Sequence, residues 1–211
     1  MTEGIPYWPR VAALVVLLSA IAAVDLARHG SKATRWREYS FILAGGLAAG
    51  LFGLVNDLIT SAISPEYFIL GKGLPARALR QSAGELGLQA GSSAGVIAAA
   101  VMVYAATRGT RRPPFPIRSL CLLTWRPFVL AVGFGVAFPL LLSGSDPLAI
   151  TSSIEDLLEP SKVARFLMVW WVHLGLYLGL LAGVVWTVLD VAGKRRRGGA
   201  SGERATASAG G

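Results

Sequence analysis

The stretch Asn56-Asp57-Leu58-Ile59-Thr60-Ser61-Ala62-Ile63-Ser64-Pro65-Glu66-Tyr67-Phe68 begins inside an apolar segment and ends outside one. It places a carboxylic acid where lipid is expected. A Ser-Pro step then stops the helix, because the residue before a proline is driven out of helical geometry. A second acid, Glu66, follows beside two aromatic residues. An ionisable side chain at membrane depth costs roughly 2.5–3.5 kcal/mol on insertion scales, so Asp57 has to face a partner rather than lipid. The small residues before it supply the face. Gly46, Gly50 and Gly53 lead to Asp57 at steps of four, three and four, which is one stripe of a helix. Thr60, Ser61 and Ser64 continue the stripe. In a bilayer, where apolar burial gives helices no reason to associate, small residues let backbones approach and polar groups bond across the gap. The stretch predicts a membrane-spanning helix packed on a neighbour, with a polar outer end.

Composition agrees with that reading. Of 211 residues, 54% are hydrophobic and 15% are charged, against roughly 25% charged in soluble domains. The mean hydropathy is +0.57. The formal net charge is +8, but the basic residues stand in blocks between apolar runs. That arrangement fits topology signals and anionic lipid better than a nucleic-acid surface, so no nucleic acid is expected as a partner. Cys121 is the only cysteine, which excludes an internal disulfide and a thiolate metal cluster. His29 and His173 are far apart in the chain, a poor basis for a histidine metal site. No metal and no other cofactor is expected.

Working outward, the chain reads as an all-α integral membrane helical bundle of about five transmembrane helices. The spans fall near residues 11–27, 39–64, 89–107, 128–143 and 165–189, within one domain over residues 1–193, and a disordered basic tail follows over 194–211. The first span has a rival reading as a signal peptide, since Ala20-Ile21-Ala22 resembles a cleavage box. Glu3 makes a poor leader start, and Arg28, Lys32, Arg35 and Arg37 follow at once; a basic cluster there resists translocation, so a retained helix is expected. Residues 75–86 and 150–158 read as short helices lying at the surface. Pro139 predicts a kink or an early end in the fourth span. Basic residues crowd the loops after spans one and three and the tail after span five, whereas the loop after span four is acidic. Lys and Arg mark the cytoplasmic side, which gives N-out/C-in.

A second glycine row, Gly175, Gly179 and Gly183, lies on the last span, with His173 and Tyr177 on another face of it. Span two runs outward and span five runs inward, so Asp57 and His173 both lie about 10–12 Å below the outer boundary at ~1.5 Å per residue. They meet if the two spans are neighbours. The candidate polar site is therefore Asn56, Asp57, Thr60, Ser61, Glu66, Tyr67, His173 and Tyr177. Each has a plainer account as well: a packing contact for Asp57, a satisfied interfacial imidazole for His173, and an aromatic belt for Glu66-Tyr67-Phe68. The chain has no Gly-x-Ser-x-Gly, no His-Glu-x-x-His and no Walker loop. Ser61 or Ser64 with His173 and Asp57 would supply the residue types of a hydrolytic triad, but no oxyanion donor is suggested.

The central stretch resembles a signature of uncharacterised bacterial membrane proteins that typically reads His-Asp-Gln-Val-Thr, followed a few residues later by Glu-Tyr-Phe. Their last span is similar to Arg165-Phe-Leu-Met-Val-Trp-Trp-Val-His-Leu-Gly-Leu-Tyr-Leu here. Asp57, Thr60, Glu66, Tyr67, Phe68, His173 and Tyr177 match, while Asn56 stands where a histidine is usual. The resemblance implies a bacterial inner-membrane setting and carries no activity. Three functions stay open at this point: a structural, accessory or interaction protein of the membrane, a small-solute or proton-coupled transporter, and a lipid-modifying enzyme. Expected partners are the bilayer, anionic lipid at the basic loops and tail, and a second copy or another membrane protein on the Gly-rich faces.

Overall fold

A computed structural model of the chain describes residues 6–107, 114–142, 152 and 154–209, with side chains to residue 197. The helices are α1 (Tyr7–His29), α2 (Arg35–Ile63), α3 (Leu79–Thr107), α4 (Ile117–Cys121), α5 (Trp125–Leu142) and α6 (Pro160–Ala209). No strand occurs among the described residues. Five stretches among them are long and apolar enough to cross a membrane: Tyr7–Lys32, Arg35–Ile63, Ala76–Thr107, Ile117–Leu142 and Pro160–Arg197.

Helix ends follow local chemistry. Asp25, near the end of α1, caps α2: its Oδ2 accepts hydrogen bonds from Thr34 N and Arg35 N, both at 3.0 Å. A carboxylate at the positive end of a helix is well placed both for its orphan N–H groups and for its dipole. At its other end α2 stops at Ile63, and Ser64 is extended before Pro65. The Ser64 hydroxyl then accepts the Tyr67 N–H at 3.3 Å. This starts a wide helical turn, Tyr67–Gly71, that folds Tyr67 and Phe68 back into the bundle. Gly73, at φ 68°, ends the excursion, in a backbone region that glycine adopts without strain.

Several boundaries differ from the sequence reading. α3 begins at Leu79, not near residue 89; the segment over 75–86 is a short turn, Ala76–Ala78, running straight into α3. Arg80, Gln81 and Glu85 lower the hydropathy there, yet they lie on the exposed side while Ala83, Gly84 and Gly87 are buried. α5, Trp125–Leu142, passes through Pro139, and α4 precedes it as a separate short helix. The surface helix expected over 150–158 falls partly outside the described residues; residues 155–157 form a turn there, and Ile154 is buried. The tail, expected to be disordered from 194, continues α6 as helix to Ala209. Nothing over 194–197 breaks a helix, and Lys194 bonds back to Asp190 at 3.1 Å.

Packing divides the bundle into two tight pairs. α2 lies on α3 and α5 lies on α6, each along most of its length. A Cβ added at Gly53 would collide with the Gly87 carbonyl, and one added at Gly91 would collide with that of Ala49. The second pair repeats the device: Gly175 and Gly179 touch the carbonyls of Phe134 and Leu130, and Gly183 touches the Pro127 backbone. Between the pairs, α3 and α6 meet less extensively and α2 touches α6 only locally. Two apolar cores close this seam. One holds Phe41, Met102, Leu120 and Val191; the other holds Tyr67, Phe68, Phe166 and Trp171. α1 lies along α2 and buries none of its own residues.

Gly87→Ala and Gly179→Ala should each lower stability by about 1–3 kcal/mol, the usual cost of overpacking. Gly133→Ala, where an added Cβ meets nothing within 4 Å, should not. Unfolding of the three variants in detergent checks this; equal behaviour would mean that backbone contact does not hold the pairs.

Candidate functional site

The polar end of α2 and the middle of α6 face each other across the seam. Asp57 and His173 are both 6% exposed. His173 Nε2 lies 3.1 Å from Asp57 Oδ1. The other ring nitrogen, Nδ1, lies 2.8 Å from the Val169 carbonyl oxygen, one turn back on α6. A carbonyl only accepts, so Nδ1 carries a hydrogen and donates it. Nε2 and Oδ1 then have one proton between them. The pair is either an imidazolium facing a carboxylate or a neutral imidazole facing a carboxylic acid. Both forms have no net charge, which suits a site removed from water.

Neighbouring groups hold this geometry. Asn56 Nδ2 donates to Asp57 Oδ1 at 3.0 Å. The Tyr67 ring stacks on the imidazole, with centroids 4.8 Å apart and planes at 29°, and Phe68 meets its edge at 5.9 Å. Lys72 Nζ lies over the tyrosine ring, 5.4 Å from its centre. Burial holds the Tyr67 phenol above its ordinary range, and Tyr177 and Asp57 push the same way. The phenol therefore keeps its proton and remains a donor. The turn after Pro65 thus roofs the pair with aromatic surface.

Below the pair, the seam opens into a cavity of about 80 Å³. That is room for roughly two or three waters at ~30 Å³ each. Asn56, Asp57, His173 and Tyr177 give it a polar end, while Gly53, Gly91, Ala131 and Leu176 make the rest apolar. Phe52 of α2 meets Phe128 of α5 edge to face at 6.3 Å, bridging the two pairs beside it. Tyr177 is 49% exposed and also borders an apolar groove between α3 and α6, lined by Ile97, Val101, Leu181 and Val184.

The other expected residues do different work. Thr60 and Ser61 are buried, but their hydroxyls donate to the carbonyls of Asn56, at 2.8 Å, and Leu58, at 3.2 Å, within α2. Glu66 is half-buried and sits 3.4 Å from the Ser64 hydroxyl, outside the cavity lining. The triad arrangement fails on this geometry, since Ser61 and Ser64 are engaged locally and both His173 nitrogens already have partners. Groups of three or more His, Cys, Asp or Glu able to hold a metal ion are absent among the described residues. Sequence reasoning did not pick out Val169, Lys72, Phe52 or Phe128. Val169 alone carried a signal, standing four residues before His173, where a helix brings a carbonyl to the ring.

A second polar contact ties the pairs at the opposite end of the seam. Arg195 NH1 donates to the Ala105 carbonyl of α3 at 2.7 Å. Within the α5–α6 pair, Arg126 bonds Asp190 at 2.7 Å and covers the Trp186 ring at 4.5 Å. No protein-family model, no curated protein and no solved structure matches the chain.

A double-mutant cycle with Asp57→Ala and His173→Ala should give a coupling of about 0.6–1.7 kcal/mol, from the mean to the maximum that such cycles give for hydrogen bonds between membrane helices. Asp57→Asn should unfold nearer the wild-type midpoint than Asp57→Ala, because its amide supplies a fixed hydrogen toward Nε2, although that NH2 takes the acceptor away from Asn56 Nδ2. A coupling near zero would show that the contact does not hold the seam.

Proposed function

We propose that the protein is a small-solute or proton-coupled transporter of the membrane, in which the Asp57–His173 pair serves as a one-proton site in the seam between two rigid helix pairs. The observation that carries this reading is the cavity directly beneath the pair, lined by Asp57, His173, Asn56 and Tyr177. A purely structural contact needs no such space. The glycine contacts make each pair a stiff body, so the seam is the place where the bundle can open. Opening it exchanges the shared proton with water, and closing it returns the pair to a dry environment. A lipid-modifying enzyme finds less support, because no nucleophile stands at the pair.

The same reading places the N-terminus outside and the C-terminus inside, in a bacterial inner membrane. Arg35, Arg37 and Arg118 line one crevice, and Lys194 lies 6.0 Å from the Phe115 ring beside it. That gathering of basic residues at one end supports a cytoplasmic face with anionic lipid around it. A second reading, as an accessory protein that binds another membrane helix, draws on α1, which buries none of its own residues.

Cysteine labelling separates the two readings. In a Cys121→Ser background, Asn56→Cys in sealed vesicles should react with a membrane-impermeant thiol reagent added from the side opposite the basic tail. Ile59→Cys, on the exposed face of α2, should not. Labelling at neither position would mean that the cavity is closed to water and would favour the accessory reading. Vesicles loaded with a pH-sensitive dye provide a second test: the Asp57→Asn protein should fold yet lose proton flux.

A further inference from the structure

At the end of the bundle opposite Tyr67, the start of α2, the end of α3 and the turn before α4 enclose a cavity of about 490 Å³, lined by Arg35, Arg37, Glu38, Thr107, Phe115 and Arg118, among others. It is separate from the cavity at Asp57 and His173, with no lining residue in common. Its charge is unbalanced. Glu38, only 7% exposed, is engaged by Arg35 at 3.1 Å. That bond neutralises the acid and holds the Arg35 guanidinium against the wall. Neither Arg37 nor Arg118 forms an ion pair among the described residues. Arg37 is steadied instead by the Trp36 ring, 5.2 Å from its guanidinium carbon. The polar wall therefore presents two uncommitted guanidinium groups and one oriented one. Pro114 and Pro116 stiffen the opposite side, and the Phe115 N–H is tied to the Ala106 carbonyl at 2.8 Å.

We propose that this cavity binds a phosphate group, gripped by Arg37 and Arg118 and flanked by Arg35. Guanidinium forks match phosphate oxygens in bidentate geometry, and two of them lining one cavity without an acidic partner exceed what a topology signal requires. The phosphate comes either from the headgroup of an anionic lipid or from a soluble phosphate ester. The apolar rim formed by Phe115 and Ile117 suits the lipid, and the basic end of the bundle places the cavity at headgroup level.

The test uses the full-length protein in neutral detergent. Its thermal midpoint is followed during titration with phosphatidylglycerol, with phosphatidylcholine and with inorganic phosphate. Phosphatidylglycerol should raise the midpoint saturably and phosphatidylcholine should not. The double variant Arg37→Gln/Arg118→Gln should weaken the apparent affinity about thirtyfold, since each basic group near a membrane surface contributes roughly one tenfold step or a little less. Arg37→Lys/Arg118→Lys should recover part of the loss. Arg77→Gln/Arg80→Gln removes the same charge at the other end of the bundle and should bind as wild type does. Protection by inorganic phosphate that needs Arg37 and Arg118 would assign the site to a soluble phosphate. Protection by the lipid alone would assign it to a headgroup. The proposal fails if the Arg37/Arg118 variant binds like the wild type, or if the Arg77/Arg80 variant loses as much.

Discussion

Where Gly53 meets Gly87 and Gly175 meets Phe134, the structure has no room for even one extra carbon atom. The rest of the bundle depends on that contact. Lipid tails are as apolar as the side chains they touch, so burying leucine does not hold membrane helices together. Backbones that touch gain dispersion contacts along their length instead. The consequence is a bundle of two closely packed pairs, α2 with α3 and α5 with α6, and a sparser seam between them. Asp57 and His173 stand in that seam, where the backbones leave room for side chains to meet.

Asp57 and His173 close one end of the seam at minimal electrostatic cost. Counting donors and acceptors leaves a single proton in their contact, and either placement of it keeps the pair neutral. The aromatic turn after Pro65 shields the pair and holds the imidazole plane. The same turn explains why a short stretch of sequence mattered so much. Asp57, the Ser64 stop and Tyr67 belong to one device, in which the acid, the reversal and the lid follow one another within a few residues. At the other end, Arg195 ties α6 to α3 and the basic crevice collects charge. The two ends differ in kind: one is a buried acid–imidazole contact roofed by aromatic rings, the other is open and cationic.

Much of the architecture was legible in the chain. Apolar run lengths, glycine spacing, the Ser-Pro stop and the basic blocks are local properties, and each has a direct physical reading. The number of spans, the packing stripe on α2, the glycine row on α6 and the matched depth of Asp57 and His173 all came from them. What was misjudged was also local but two-sided. A hydropathy window averages around a helix, so Arg80, Gln81 and Glu85 on the exposed side concealed the buried stripe through Ala83, Gly84 and Gly87. For that reason hydropathy alone points to a start near residue 89, ten residues after the true start of α3 at Leu79. Charge and small residues are the composition of disordered tails, so the chain alone does not reveal that α6 continues as helix to Ala209.

The sequence by itself determined that this is an all-helical chain with spans long and apolar enough for a membrane, and that Asp57 needs a partner at its own depth. Which partner, and what lies beside it, only the tertiary structure decided. Depth is set by rise per residue along each helix, whereas adjacency depends on which glycine faces find one another. Spacing cannot tell whether α2 pairs with α3 or with α6. It pairs with α3, which leaves α6 across a gap, and so the Asp57–His173 contact borders a cavity rather than lying inside a tight helix pair.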